Sequence, residues 1–186
     1  MKNKKVVYVP MGADLIHSGH INIIEKAKKY GKVIIGLFSD EAISEYKRVP
    51  SVSYDDRYNI LKNFKGVSKI IKHNHWDYTE NLRSIKPNYF IHGDDWKKGI
   101  QKKKRTEVLN LLKKWNGKLI EVPYTQKPII SQDHRSINST YFSSSSRVSR
   151  LKKILNYKKF VRIIECHNPL IGMIIENLNL NKKNKI

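Results

Sequence analysis

His17-Ser18-Gly19-His20 follows an apolar run, Val6-Val7-Tyr8-Val9, and is the part of this chain best equipped for chemistry. The run reads as a strand, Met11-Gly12-Ala13-Asp14 as a short turn, and a helix is expected from about Ser18. A helix start exposes unpaired backbone N–H groups and the positive end of the helix dipole, which makes it a natural phosphate site. Two histidines three residues apart fall on one face of that first turn. Gly19 has no side chain, so an anion or ring can approach the backbone closely. Two imidazole donors beside such a helix start suit stabilisation of charge on a transferring phosphoryl group. The strand and turn in front of the motif weigh against the blander reading of two surface histidines near a cap.

The elements that must position this motif follow from apolar spacing. Strands are predicted at Lys5–Pro10, Lys32–Phe38, Val67–Lys72, Tyr89–His92 and Lys118–Val122. Between them the period lengthens, with Ile21, Ile24, Ala27 and Lys28, then Ile60, Leu61 and Phe64, then Val108, Leu111 and Leu112 fitting helices. Strand–helix alternation predicts an α/β fold, a Rossmann-like parallel sheet with helices on both faces. Ligands of such sheets sit at the carboxyl ends of the strands, where strand order reverses. The Gly12–His20 turn and Gly93-Asp94-Asp95-Trp96 both follow strands and point to that edge. After Val122 the pattern breaks. Residues 126–149, with Ser143-Ser144-Ser145-Ser146, read as a Ser-rich linker or degenerate closing segment between a nucleotide-binding domain at 1–125 and a second unit at 150–186. Leu151, Ile154 and Leu155 suggest a short basic helix, and Phe160–Glu165 a strand.

Composition narrows the partners. The 186 residues carry 37 Lys and Arg against 16 Asp and Glu, a formal net charge of +21. The cations are spread over every segment, so nucleic acid is not the expected partner; a phosphate-rich small substrate is drawn by the same field. The one cysteine, Cys166, leaves no internal disulfide and fits a reducing compartment. Met1-Lys2-Asn3-Lys4-Lys5 leads straight into core residues without a signal peptide, and no apolar run is long enough to span a membrane. A cytoplasmic location is expected.

Four blocks in order then converge on a family. Met11–His20, Ser39-Asp40-Glu41, Tyr54-Asp55-Asp56-Arg57 and Gly93-Asp94-Asp95-Trp96 resemble the HxGH nucleotidyltransferases over roughly residues 5–125, within them the glycerol-phosphate and choline-phosphate cytidylyltransferase branch. Val9–Asp14 and Ser44-Glu45-Tyr46-Lys47-Arg48 are most similar to the cytidylyltransferase domain fused to phosphoenolpyruvate mutase in phosphonate biosynthesis. Phe160–Leu170 resembles the first strand and loop of such a mutase, whose barrel needs at least about 200 residues, so 150–186 reads as its truncated start.

The resemblance implies transfer of CMP from CTP to a small phosphonate, such as 2-aminoethylphosphonate, with release of pyrophosphate. His17, His20 and Lys47 are the implied catalytic residues. Gly12, Ala13, Gly19, Arg48, Arg57, Asp94, Ile130 and Ser131, together with the two histidines, are implied at the nucleotide. Mg²⁺ is the implied cofactor, bridging phosphate oxygens, and a homodimer is a compatible assembly. Trp96 is expected to pack rather than stack on a base. The family's closing signature, an R-T-x-G-I-S-[ST]-[ST]-like segment at the start of the last helix, is poorly kept in Tyr124–Asp133: Tyr124 stands for the arginine, Pro128 lacks an N–H, and Ile130-Ser131 alone echo the core. The alternatives are a glycerol-3-phosphate or cholinephosphate cytidylyltransferase, and a catalytically degenerate nucleotide- or RNA-binding module. ATP in place of CTP is left open by the motif.

Overall fold

The five apolar runs form five strands, β1 (Val6–Met11), β2 (Lys32–Phe38), β3 (Val67–His73), β4 (Tyr89–Gly93) and β5 (Lys118–Val122). All neighbouring pairs are parallel, in the order β3-β2-β1-β4-β5. The computed structural model describes residues 5–97, 101–123 and 144–158, together with 161 and 165. Its helices are α1 (Ser18–Lys28), α2 (Asp40–Tyr46), α3 (Tyr54–Lys62), α4 (Thr79–Ile85), α5 (Lys102–Lys113) and α6 (Ser144–Tyr157), with a 3-10 turn at Asp94–Lys97.

Alternation along each strand sends side chains to two cores. Val7, Val9 and Met11 of β1 and Val33, Ile35 and Leu37 of β2 pack under Ile24 and Ala27 of α1 and Leu61 of α3. On the other face, Tyr8, Ile34, Phe38 and Phe90 pack under Ala42 and Ile43 of α2, Leu82 of α4 and Val108, Leu111 and Leu112 of α5. The expected Rossmann-like sheet with helices on both faces is what the chain builds. Gly36 makes the second core possible, since a Cβ there would lie 1.9 Å from Tyr8 Oη. Exposed Lys69 and Lys72 lie on β3, an outer strand of the sheet, where charge discourages pairing with another chain.

α4 and α6 are among the elements that depart from the apolar reading. α4 carries one buried side chain, Leu82, and no side-chain cap, so its seven residues offer no period to detect. α6 begins at Ser144, inside the stretch read as linker, and it lies against α2. Serine is a poor mid-helix residue but a favoured helix opener, so a Ser run is compatible with a start as well as with a linker. Of the strand expected at Phe160–Glu165, residues 160 and 162–164 lie outside the described residues.

Candidate functional site

Strand order reverses between β1 and β4, and a cleft of about 220 Å³ opens at their carboxyl ends. β1 delivers Met11 and Gly12 to it, and β4 delivers His92 and Gly93. His17, Gly19 and His20 come from the start of α1, and Lys47 from the end of α2. Gly12, His17, Gly19, His20 and Lys47 are residues expected from the sequence, brought to one place.

The two histidines are themselves the helix cap. His17 is the N-cap and His20 the third helical residue, in a reciprocal capping box. Gly19 N donates to His17 Nδ1 at 3.1 Å, and His17 N donates to His20 Nδ1 at 3.3 Å. Both Nδ1 atoms act as acceptors, which assigns the proton of each neutral ring to Nε2. The ring centroids lie 4.1 Å apart. Burial, then the neighbouring His17 and Lys47, push the His20 imidazole down to a pKa of about 4. At neutral pH His20 is therefore an uncharged N–H donor at a positive helix end.

Lys47 ends α2 in an extended conformation, with φ −128° and ψ −167°. Its ammonium rests 5.2 Å from the centroid of the Tyr46 ring, which stacks on Trp76 at 4.7 Å and 8°. Arg48 is turned elsewhere. Its Nη2 pairs with Asp14 Oδ2 at 2.5 Å, and its Nη1 donates to Ser51 Oγ at 2.9 Å. Asp14 Oδ1 also accepts from Ser51 N at 2.7 Å and Val52 N at 2.9 Å, which ties the loop after Lys47 to the α1 turn.

Four other candidates sit differently from expectation. Arg57 is fully buried and does not line the cleft. Its guanidinium donates to Val52 O at 3.1 Å, Phe38 O at 2.9 Å and the Gly12 carbonyl, and pairs with Asp40 Oδ1 at 2.6 Å. A side chain expected at phosphate instead braces the turn beneath it. Ala13 is buried at φ +52°, a left-handed conformation uncommon for a residue with a Cβ, and also stands outside the lining. Arg48 is held by Asp14, as above. Asp95, not Asp94, lines the cleft, because the 3-10 turn sends adjacent acids in different directions. Ile130 and Ser131 lie outside the described residues.

Sequence reasoning missed the aromatic wall. Tyr46, Trp76, Tyr78 and His92 all line the cleft. His92 stacks on buried Trp96 at 4.0 Å and 11°, so Trp96 packs, as expected. Trp96 Nε1 donates to Glu121 Oε1 at 2.9 Å, and Arg105 Nε donates to the same oxygen at 2.9 Å. Those bonds, the Arg105 one foremost, hold the Glu121 carboxyl at about 2. His92 Nδ1 bonds the Gly93 carbonyl at 2.8 Å and its Nε2 meets Tyr78 Oη at 3.4 Å. Burial pushes its pKa down, against the pull of the Gly93 carbonyl and Asp95. Behind the wall runs a chain of bonds with a buried centre: Asn81 Nδ2 donates to Tyr8 Oη at 2.9 Å, Tyr8 Oη meets His73 Nδ1 at 3.0 Å, and His73 Nε2 meets Asp77 O at 2.9 Å. His92 and Gly93 were findable as the end of a strand. Trp76 and Tyr78 lie on the β3–α4 connection, which carries neither motif nor period.

Among the described residues, no three His, Cys, Asp or Glu side chains gather as a metal site. No helix among them is long and apolar enough to cross a membrane.

Comparison with known proteins meets this geometry. A bifunctional protein HldE of Aliarcobacter butzleri is 30% identical over 119 residues, 62% of this chain and 25% of that protein. A glycerol-3-phosphate cytidylyltransferase of Bacillus spizizenii is 33% identical over 86 residues, 45% of this chain and 67% of that protein. An ethanolamine-phosphate cytidylyltransferase of Dictyostelium discoideum is 31% identical over 97 residues, 50% of this chain and 27% of that protein. The chain thus spans about a quarter of the first and third of these relatives. In fold it is similar to a lipopolysaccharide core biosynthesis protein of Thermoplasma volcanium, with TM-score 0.56 and 19% identity over 68% of this chain and 100% of that one. The cytidylyltransferase-like family matches residues 13–151, taking in β1's turn, the histidine cap, Lys47, the 3-10 turn and the start of α6. The chain belongs to the cytidylyltransferase-like family.

Proposed function

We propose that this chain transfers CMP from CTP to a small phosphonate or phosphate ester, releasing pyrophosphate. The observation that carries this reading is the double-histidine cap with Lys47 beside it in one cleft. An acceptor oxygen, already ionised, attacks the α-phosphorus of CTP. The new P–O bond forms as the bond to the β-phosphate oxygen breaks, and the electron pair leaves with pyrophosphate. No enzyme nucleophile and no general base are needed. The protein's task is to align two anions and to meet the charge that grows between them.

The His17 and His20 Nε2–H groups serve as fixed donors to the triphosphate oxygens. Lys47 supplies a full positive charge to phosphate. Gly12 and Gly19 let the nucleotide approach the backbone, and Asp94, Arg57 and Ala13 act behind the contact surface. Mg²⁺ fits as an ion held mainly by the triphosphate, with Asp95 the hard oxygen donor that the cleft offers; when bound it neutralises phosphate charge. The closing segment fits Ser143–Arg147 as well as Tyr124–Asp133, because the family signature stands at the start of the last helix and α6 opens at Ser144.

For the acceptor we favour 2-aminoethylphosphonate. Tyr46, Trp76 and Tyr78 form an aromatic wall suited to an ammonium group. An ethanolamine-phosphate cytidylyltransferase is among the relatives, and its named acceptor has the same aminoethyl end with one bridging oxygen more. Glycerol 3-phosphate is the second reading, favoured by the bacillar relative. A pyrophosphate-release assay with CTP and ATP against these acceptors and phosphocholine decides. Preference for glycerol 3-phosphate would overturn the amine-bearing acceptor; absence of pyrophosphate release with every pair would overturn nucleotidyl transfer.

A further inference from the structure

α6 communicates with the cleft through the residue that follows it. Lys158 Nζ donates to the Ser44 carbonyl and, at 2.7 Å, to the Lys47 carbonyl. The Ser44 carbonyl belongs to the last turn of α2 and the Lys47 carbonyl to its C-cap, where the helix has no N–H left to offer them. A cation there also meets the negative end of the helix dipole.

We propose that Lys158 is a positioning residue for Lys47, so that the residue directly after α6 sets the aim of the cleft's cation. The inference rests on the reading that Lys47 serves phosphate. The rest of α2 is already fixed. Arg57 holds Asp40 at its first turn, and Trp76 N donates to Glu45 Oε2 at 2.9 Å. Lys47 itself leaves the helix, and its N–H donates to Ile43 O at 2.9 Å. Beyond it, Asp14 gathers Arg48, Ser51 and Val52. The Lys47 carbonyl lies between these two anchored stretches, and Lys158 pins it. With that peptide plane fixed, the Lys47 side chain leaves its backbone in a set direction over Tyr46 and into the cleft.

A bare helix cap would stabilise α2 without touching turnover, and the test separates the two. In the full chain, Lys158→Met removes the ammonium and keeps the stem, and Lys158→Arg restores donors able to reach two carbonyls. The expected result for Lys158→Met is a kcat about ten- to a hundredfold lower, the cost of a small misplacement, with KM for CTP within about twofold. Lys158→Arg recovers most of the loss. In a Lys47→Met background, Lys158→Met costs nothing more, because the two act as one unit. Amide hydrogen exchange at Lys47 and Arg48 rises in Lys158→Met, a readout independent of turnover. Unchanged exchange at these amides overturns the clasp, as does an equal kcat loss in the Lys47→Met background. If the wild-type chain releases no pyrophosphate, nucleotidyl transfer fails as the function, and the exchange measurement still decides the clasp.

Discussion

Fully buried Arg57 and partly buried Asp40 form an ion pair, Nη2 to Oδ1 at 2.6 Å, that joins the first turn of α3 to the first turn of α2. The same guanidinium gathers the carbonyls of Gly12, Phe38 and Val52, the ends of β1 and β2 and the loop before α3. Arg57→Met strands a carboxylate and these carbonyls without a donor. A loss of about 3–5 kcal/mol in urea unfolding is expected, and Arg57→Lys, without the fork, recovers little of it. A stability close to wild type would show that the pair is solvated.

His17→Asn separates capping from chemistry. Asparagine is a good N-cap, so the helix start survives with a stability change of about 0.5 kcal/mol or less. The Nε2–H donor is lost, and kcat is expected to fall by about 10²–10³-fold with pyrophosphate release as the readout. An unchanged kcat would remove His17 from the mechanism.

Folded His20 titrates near 4, below its ordinary 6.5, because it is buried beside His17 and Lys47. Between those values the unfolded chain binds the extra proton, so stability rises with pH across pH 4 to 6.5 and the contribution is complete above it. His20→Asn should flatten that part of the stability profile. Triphosphate binding should raise the His20 pKa, visible as proton uptake when binding heats are compared in buffers of different ionisation enthalpy. Identical profiles for wild type and His20→Asn would contradict the assignment.

Gly36→Ala is expected to destabilise by about 1–3 kcal/mol, since its methyl would meet Tyr8 Oη at 1.9 Å in a packed core. Because Cζ and Cε2 of Tyr8 would also lie within 3 Å of that methyl, it is Tyr8→Leu with Gly36→Ala that should be less damaging than the two losses added, which double-mutant unfolding measures.

The central strands β1 and β2 were legible because they are covered on both faces and read as apolar runs, and the outer strands by their shorter apolar stretches; β2 and β5 fall at their expected limits and the other strands within one residue. The histidine cap was legible because both its partners lie within four residues of sequence. Arg57 was not: only the folded chain, which brings the starts of α2 and α3 together at one end of the sheet, shows that an Asp 17 residues earlier takes its charge. Asp94 and Asp95 differ by a single step in a tight turn, too fine for a motif to resolve. The aromatic wall is assembled from α2, the β3–α4 connection and β4, and no local pattern announces a surface built from three places.

Trp76 and Tyr78 sit on a connection between strand and helix, where chains commonly adapt to whatever binds. Here that connection is bolted to the interior through His73, whose Nδ1 meets Tyr8 from the central strand and whose Nε2 meets the Asp77 carbonyl. The wall therefore has its shape before any acceptor arrives. On the proposed reading, an acceptor of the wrong outline would find no loop to bend, and selectivity would be expressed at the first encounter rather than by later closure. Swapping acceptor preference by changing Trp76 or Tyr78 alone would then alter the outline without loosening the mount, whereas a change at His73 would blur discrimination among all acceptors at once.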